Sequence, residues 1–419
     1  MQITFINQFY PPDIAPTGIK LKDLAEALAN RGHKVSIISS NILYASSHNM
    51  LQYEARGNIK IKRIGEKGIY VRNFLKRVSN NFLFSNVVYH ELRKMEKVDL
   101  VVSLSSPPFI NYFVSKSCLA RNIPVVHWIM DVYPEALFAA RMFSPYSFIS
   151  VFLKKIMQNT INNARMVVTL SPEMAYTISS LNNSSVEELP QNGKLLPAKK
   201  KIYWSWLWPD KLTIDDEQNI ENYRVRNGWQ EKEIIFMYSG NFGRGHLIRD
   251  FLNAALIFAE EKNIRWVFAG DGSRKKEVEK FIAVHPSLKV DLMGHCDNKE
   301  VAVHLKSANV HLVSIGHSWE KAIFPSKIQN VFALGIPVIF SGNKATTLSK
   351  LISSYDAGWC VRHGDPAEMH NAVREAMDPI RRAAKGHNAM KLARENWNRE
   401  EQINVMANSL ELCYGKADL

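Results

Sequence analysis

Gly240-Asn241-Phe242-Gly243-Arg244-Gly245 follows an apolar run and opens into a helical pattern. A glycine turn at a helix start leaves amides free for an anion, and Arg244 could hold a diphosphate with two hydrogen bonds. Gly240, Asn241 and Gly243 would line that turn. The glycines fall as GxxGxG rather than the dinucleotide pattern GxGxxG, and a plain structural turn reads the same way. A second stretch, Pro325-Ser326-Lys327-Ile328-Gln329-Asn330, offers Ser326 as a helix cap and puts Lys327 in the first turn. A helix dipole disfavours a cation there, so an anion facing Lys327 would explain it; a surface lysine on a buried helix is the alternative. Asn330, one turn on, could hydrogen-bond a sugar hydroxyl.

Asp131 lies in His127-Trp128-Ile129-Met130-Asp131-Val132-Tyr133-Pro134-Glu135, directly after an apolar strand. A carboxylate there is costly unless it is paired or functional, and it could orient or deprotonate an acceptor hydroxyl. A turn or cap aspartate is equally consistent. His127, inside the strand, reads as a core histidine. Gly18, where the loop 9–18 enters a helix, would let another backbone or a phosphate come close; an ordinary capped helix is the alternative. Asp271 sits between two glycines in a further turn.

Each of these stretches ends a predicted strand. Apolar runs at residues 3–7, 35–39, 100–104, 125–130 and 166–170 alternate with helical patterns, the first capped by Thr17 and continuing to about Arg31. The rhythm breaks over residues 191–216, rich in lysine, proline and tryptophan, which reads as an interdomain connection with Trp204, Trp206 and Trp208 packed at a hinge. It resumes with strands at 234–238, 266–269, 310–313 and 337–340 and helices at 246–261 and 326–334. Residues 381–419 are helical in pattern. Continuous β-branched runs separated by helices predict parallel sheets covered on both faces. Two such α/β halves predict two Rossmann-like domains facing a cleft, with ligands at the strand carboxyl ends.

The 419 residues suit two domains, and the net charge of +13 suggests an anionic partner or a lysine-biased solvated surface. Four scattered cysteines fit reduced thiols in a cytosolic protein. The start, Met1-Gln2-Ile3-Thr4-Phe5, reads as a strand rather than a signal peptide, and no run is long and apolar enough for a membrane span. Residues 60–97 are basic and carry Tyr70, Phe74, Phe82, Phe84 and Tyr89. Residues 137–155 combine Phe138, Phe143, Tyr146, Phe148 and Phe152 with Arg141, Lys154 and Lys155 and have no acidic residue. This mixture suits a peripheral element on an anionic leaflet, though a core face with solvated charges reads similarly.

The motifs together resemble glycosyltransferase family 4, in the branch of colanic-acid and O-antigen fucosamine transferases. The matching pieces are Phe9-Tyr10-Pro11-Pro12-Asp13-Ile14-Ala15-Pro16-Thr17-Gly18, Arg31-Gly32-His33-Lys34-Val35, Asp131-Val132-Tyr133-Pro134-Glu135 and Leu170-Ser171-Pro172-Glu173-Met174. Tyr238-Ser239-Gly240-Asn241, Ala269-Gly270-Asp271-Gly272 and Pro325-Ser326-Lys327 complete them in family order across nearly the whole chain. The resemblance implies a GT-B fold: an acceptor-side domain over residues 1–203, a nucleotide-sugar domain over 204–395, and a C-terminal helix, 396–419, crossing back to the first. It implies retaining transfer from a nucleotide sugar to a lipid-linked saccharide acceptor in surface-polysaccharide or lipopolysaccharide synthesis, on the inner face of the cytoplasmic membrane.

By the same resemblance Gly18 approaches the donor diphosphate, Arg244 neutralises it, and Asp271 and Ser326 belong to the donor site. No metal or other cofactor is expected. The family's two glutamates eight apart fall here on Ala322 and Asn330, so the pair is absent; Glu320 is near enough to replace the first. A nucleotide-sugar epimerase of GT-B fold is the competing activity, but it leaves the basic aromatic surface unexplained. A nicotinamide-dependent oxidoreductase has the wrong glycine order, and no nucleic-acid-binding motif is present.

Overall fold

The computed structural model describes residues 1–43, 51–69, 74–190, 202–214, 216–297 and 299–415. Tyr70 and much of the expected connection, residues 191–201 and 215, lie outside them. The chain divides into two compact units. The first comprises Met1–Trp208, Lys321–Phe324 and Arg399–Leu419; the second comprises Pro209–Glu320 and Pro325–Asn398. The sequence reading had set these divisions at residues 203 and 396.

The first unit is built on a nine-stranded sheet. Its strands are β1 (Gln2–Ile6), β2 (Lys34–Leu43), β3 (Tyr53–Arg56), β4 (Ile59–Ile69), β5 (Leu100–Leu104), β6 (Val125–Trp128), β7 (Met166–Thr169), β8 (Val186–Glu188) and β9 (Ile202–Trp204). They lie in the order β3-β4-β2-β1-β5-β6-β7-β9-β8. All neighbours are parallel except β3, which returns antiparallel to β4. The central strands are buried on both faces, which is why their sequences are continuous apolar runs: Leu100, Val101, Val102 and Leu104 are all fully buried. Helix Pro16–Asn30 lays Leu21, Leu24, Ala25 and Leu28 on one face of the sheet. Val88, Leu92, Val114 and Cys118, from helices Phe74–Lys94 and Ile110–Leu119, cover the other.

Helix Pro16–Asn30 starts without a side-chain cap, contrary to the expectation for Thr17. Proline in the first turn has no N–H to satisfy and a φ already suited to a helix, so the start moves to Pro16. Thr17 instead accepts a hydrogen bond from Asn7 Nδ2 at 3.2 Å. Of the tryptophans placed at a hinge, Trp206 and Trp208 are buried in this unit and Trp204 is half-buried against its core. Trp204 ends β9, Trp206 packs on Phe324, and Trp208 packs on Trp128 and donates to Asp23 at 2.8 Å. The sequence could not show that a three-residue strand would draw this segment into the sheet. Helix Arg399–Gly415 also belongs here: Arg31 donates to Asn404, Asn408 and Glu411.

The second unit has six parallel strands: β10 (Ile234–Ser239), β11 (Ile264–Ala269), β12 (Val290–Met293), β13 (Val310–Ser314), β14 (Val338–Gly342) and β15 (Gly358–Arg362). Their order is β12-β11-β10-β13-β14-β15. The order reverses direction beside β10, so loops after β10 and β13 leave the sheet at a switch point, where open α/β sheets hold ligands. The helix expected over 246–261 is shorter, Ile248–Ile257, because the glycine turn continues to Leu247.

Candidate active site

In the second unit, two glycine turns meet at the carboxyl ends of β10 and β11. Gly270 has φ +139°, and a Cβ there would lie 2.0 Å from the Gly240 carbonyl oxygen. A side chain could neither adopt that backbone nor fit that gap. Backbone bonds then lock the turns. Gly240 N–H donates to Ala269 O at 2.9 Å, Phe242 N–H to Asp271 O at 2.8 Å, and Arg274 N–H to Phe242 O at 3.0 Å. Among the described residues, the N–H groups of Asn241, Gly243, Arg244 and Gly245 meet no acceptor from the chain. Four unanswered amides on one short turn are donors available to a ligand with negative charge.

Lys327 opens helix Lys327–Ala333 and reaches the same turn. A Cβ on Gly240 would meet its Cδ at 3.4 Å and its Nζ at 3.8 Å. The Nζ is buried, has no hydrogen-bond partner among the described residues and lies 3.3 Å from the centre of the Tyr238 ring. That ring is fixed, since the Tyr238 hydroxyl donates to Asn241 O at 2.9 Å. Desolvation pulls the Lys327 ammonium well below the ordinary lysine value. The aromatic face compensates only part of the cost of burying it, so an anion would find an unanswered cation here.

His246 closes the turn. Its Nδ1 lies 2.9 Å from the Ser314 carbonyl oxygen, which can only accept, so Nδ1 carries the hydrogen. Burial first, then the charge of Lys327, pushes its pKa down to about 4. Arg244 stands exposed on the turn. Asp271 accepts from its neighbour Gly272 N–H at 2.7 Å. Glu320 lies on the loop after β13, which Gly316 ties to Gly245 by a 2.7 Å bond. It is buried, Asn343 donates to one of its oxygens at 3.5 Å, and the other oxygen has no hydrogen-bond partner among the described residues.

Two expectations in this unit are corrected. Ser326 has helical dihedrals and makes no capping bond; it stands beside Lys327 without fixing the helix start. Asn330, expected to meet a sugar hydroxyl, is held by the protein through both polar atoms of its amide. Its Oδ1 accepts from Asp210 N–H and its Nδ2 donates to the Asp210 carboxylate, both at 2.7 Å. The amide therefore anchors the segment leading into the second unit, a long-range partner that local sequence could not reveal.

The first unit carries Asp131 and Gly18. Asp131 follows β6; its own N–H and that of Met130 both donate to Ser105 Oγ at 3.0 Å. It borders a cavity of about 10 Å³, room for one water, lined also by Phe109, Tyr133, Met157 and Thr160. Burial lifts its carboxyl to about 6. Glu135, one turn on, has a buried, unpartnered carboxylate oxygen, and burial raises its pKa also. Gly18 packs on the chain itself: a Cβ would lie 3.0 Å from Phe9 O and 3.2 Å from Tyr10 Cα. Of the two close approaches expected there, backbone or phosphate, its own loop makes the one seen. His127 is a core histidine, held by Asn111 at 2.9 Å and Ser115 at 2.8 Å and pushed by burial to about 3.

The second unit thus gathers Gly240, Asn241, Gly243, Arg244, Asp271 and Lys327 at one place. His246 and Ser105 were not singled out by sequence reasoning, and Tyr238 and Glu135 entered it only as members of matching motifs, without a role. A histidine two residues past Arg244 was the available signal for His246; Tyr238 looked like any strand residue. Among the described residues, no group of three or more histidine, cysteine or acidic side chains could hold a metal ion.

Comparison with known proteins gives these sites a family. The model for "Glycosyltransferase Family 4" matches residues 20–187, and that for "Glycosyl transferases group 1" matches residues 219–391. Among curated proteins, the chain is 20% identical over 202 residues to the "Putative colanic acid biosynthesis glycosyl transferase WcaI" of Escherichia coli strain K12. That match covers 48% of this chain and 49% of the relative, so it spans about half of the relative's length. Among solved structures, sucrose-phosphate synthase from Thermosynechococcus elongatus superposes with a TM-score of 0.72 at 15% identity, over 100% of both chains. Anabaena Alr3699/HepE, solved in complex with UDP-glucose, gives 0.66 at 13% identity, also over 100% of both. With both family models matched in order and a parallel-sheet α/β domain behind each, the chain belongs to the family 4 glycosyltransferases of GT-B fold.

Proposed function

We propose that this chain transfers a sugar, with retention of configuration, from a nucleoside-diphosphate sugar to a lipid-linked saccharide acceptor in surface-polysaccharide synthesis. The observation that carries the reading is Lys327, a buried ammonium without a hydrogen bond, set against a turn that presents four unanswered amides. Cleaving a sugar–phosphate bond leaves a nucleoside diphosphate with growing negative charge. The four free amides, with Lys327 and the exposed Arg244, are groups that would stabilise such charge where the diphosphate binds at this turn. HepE, of similar fold, is solved with UDP-glucose, which supports a nucleotide sugar as donor. The name of the colanic-acid relative supports a polysaccharide product.

Asp131 suits the acceptor side. A carboxyl near 6 is mostly ionised at neutral pH yet basic enough to draw on a hydroxyl proton. Glu320, with a free buried oxygen, suits a sugar hydroxyl. Both family models are of glycosyltransferases, which favours transfer over epimerisation.

An acceptor held in a membrane fits the surface of helix Phe148–Asn162. Tyr146 is 93% and Phe148 88% exposed, Ile149, Val151 and Phe152 are exposed beside them, and Lys154 and Lys155 follow. No helix of the described residues is long and apolar enough to cross a membrane, so contact would be interfacial. The deciding assay incubates the chain with a nucleotide-sugar panel, with and without a bacterial lipid extract. Nucleoside diphosphate released only when lipid is present supports the reading. Release that ignores lipid, or epimerised donor, refutes it.

A further inference from the structure

We propose that His246 is a specificity-determining residue whose Nε2 accepts a hydrogen bond from a hydroxyl of the bound donor, on its ribose or on the transferred sugar. The inference rests on the donor-site reading above. Its basis is the orientation of the ring. Nδ1 donates to the Ser314 carbonyl at the end of β13, which fixes the tautomer and leaves a lone pair on Nε2. The opposite edge faces the turn: a Cβ on Gly243 would lie 3.6 Å from His246 Cδ2, the atom bonded to Nε2, and 3.3 Å from Asn241 Nδ2. Gly243 therefore leaves bare backbone between the two side chains.

The surrounding groups decide what this nitrogen can do. Lys327 and Arg274 set positive charge around the ring and disfavour imidazolium, and the Tyr238 ring meets it edge-on at 5.9 Å. His246 is thus a neutral acceptor at a turn whose amides, with Lys327 and Arg244, offer hydrogens. A nucleotide sugar presents both matching kinds of group. Its phosphate oxygens answer the donors, and a hydroxyl answers the lone pair. A lysine or arginine at position 246 would add charge for the diphosphate but could not accept the hydrogen of a hydroxyl.

The test is calorimetric titration of the full chain with UDP, GDP, their 2′,3′-dideoxy forms, UDP-glucose and GDP-mannose, in wild type, His246→Leu and His246→Gln. In the leucine variant, probes bearing the recognised hydroxyl should bind about tenfold more weakly, the loss of one neutral hydrogen bond in a desolvated site. If the hydroxyl is on ribose, the dideoxy nucleotides keep their affinity; if on the sugar, all bare nucleotides keep theirs. Glutamine, whose amide oxygen reaches the Nε2 position, should restore most of the loss. Nitrogen-15 NMR of the wild-type complex should show a neutral ring protonated at Nδ1. Equal weakening of every probe, no weakening of any, or an imidazolium ring in the complex overturns the inference while leaving the donor site in place. Wild type that binds none of the probes overturns the donor-site reading itself.

Discussion

Replacing Lys327 by methionine should have two effects of opposite sign. Methionine has similar volume and no charge. In the empty protein the Lys327 ammonium is buried without a hydrogen bond, 3.3 Å from the Tyr238 ring centre. An unsatisfied buried polar group costs about 1–3 kcal/mol and a charged one more, while a cation–π contact returns roughly 0.5–2 kcal/mol. The variant should therefore be more stable by about 1 kcal/mol near neutral pH, or about 2–4 °C in Tm for a unit of this size. Donor binding should move the other way. A charge-assisted hydrogen bond to phosphate is worth about 1.5–3 kcal/mol, so nucleoside diphosphate should bind roughly ten- to hundredfold more weakly.

The pH dependence supplies a separate check. The folded Lys327 titrates below its unfolded value of 10.5, so the unfolded chain binds more protons across that interval. The penalty is fully present below the folded pKa and fades as pH rises toward 10.5. The stability advantage of methionine should shrink over the same window. Thermal unfolding of the unliganded proteins between pH 6 and 10, with calorimetric titration at pH 7.5, measures both quantities. A variant less stable than wild type that binds nucleotide equally well would show that Lys327 is a structural residue, and the donor-site reasoning would fall.

Gly270→Ala should be severe. The backbone at φ +139° and a methyl 2.0 Å from Gly240 O force the two turns apart, so Tm should fall by several degrees and nucleotide binding should be lost together with it. Asp131→Asn should cut turnover about 10²- to 10⁴-fold while nucleotide affinity is kept, and wild-type turnover should decline as pH falls through about 6, where this carboxylate gains its proton. Steady-state rates against pH, alongside titration with UDP, decide this. Phe148→Ser with Phe152→Ser should reduce co-sedimentation with anionic vesicles about tenfold or more, since each exposed ring would otherwise bury apolar area in the interface. Unchanged sedimentation removes that face as the contact.

Patterns confined to one element were legible before folding. Strand Leu100–Leu104 is visible as an unbroken apolar run because a strand buried on both faces needs nothing else. The glycine turn after β10 and the lysine in Pro325-Ser326-Lys327 stand out in the sequence because helix starts and backbone amides impose local rules. Helix caps proved less reliable. Thr17 and Ser326 have suitable chemistry, yet Pro16 opens one helix and helical dihedrals at Ser326 remove the other cap.

What the sequence determined by itself is the alternation that makes two α/β units and the residue types at strand ends, which follow from periodicity within a few tens of residues, and the resemblance to a family, which rests on motifs spread over nearly the whole chain. Tertiary structure decided which of those residues have partners. Asn330 was claimed by Asp210, 120 residues away, and Trp208 by Asp23, 185 away. Lys327 was left without a hydrogen bond among the described residues, against the ring of Tyr238. Hydrogen bonding and desolvation are settled by neighbours in space, and for buried polar groups those neighbours come from distant parts of the chain.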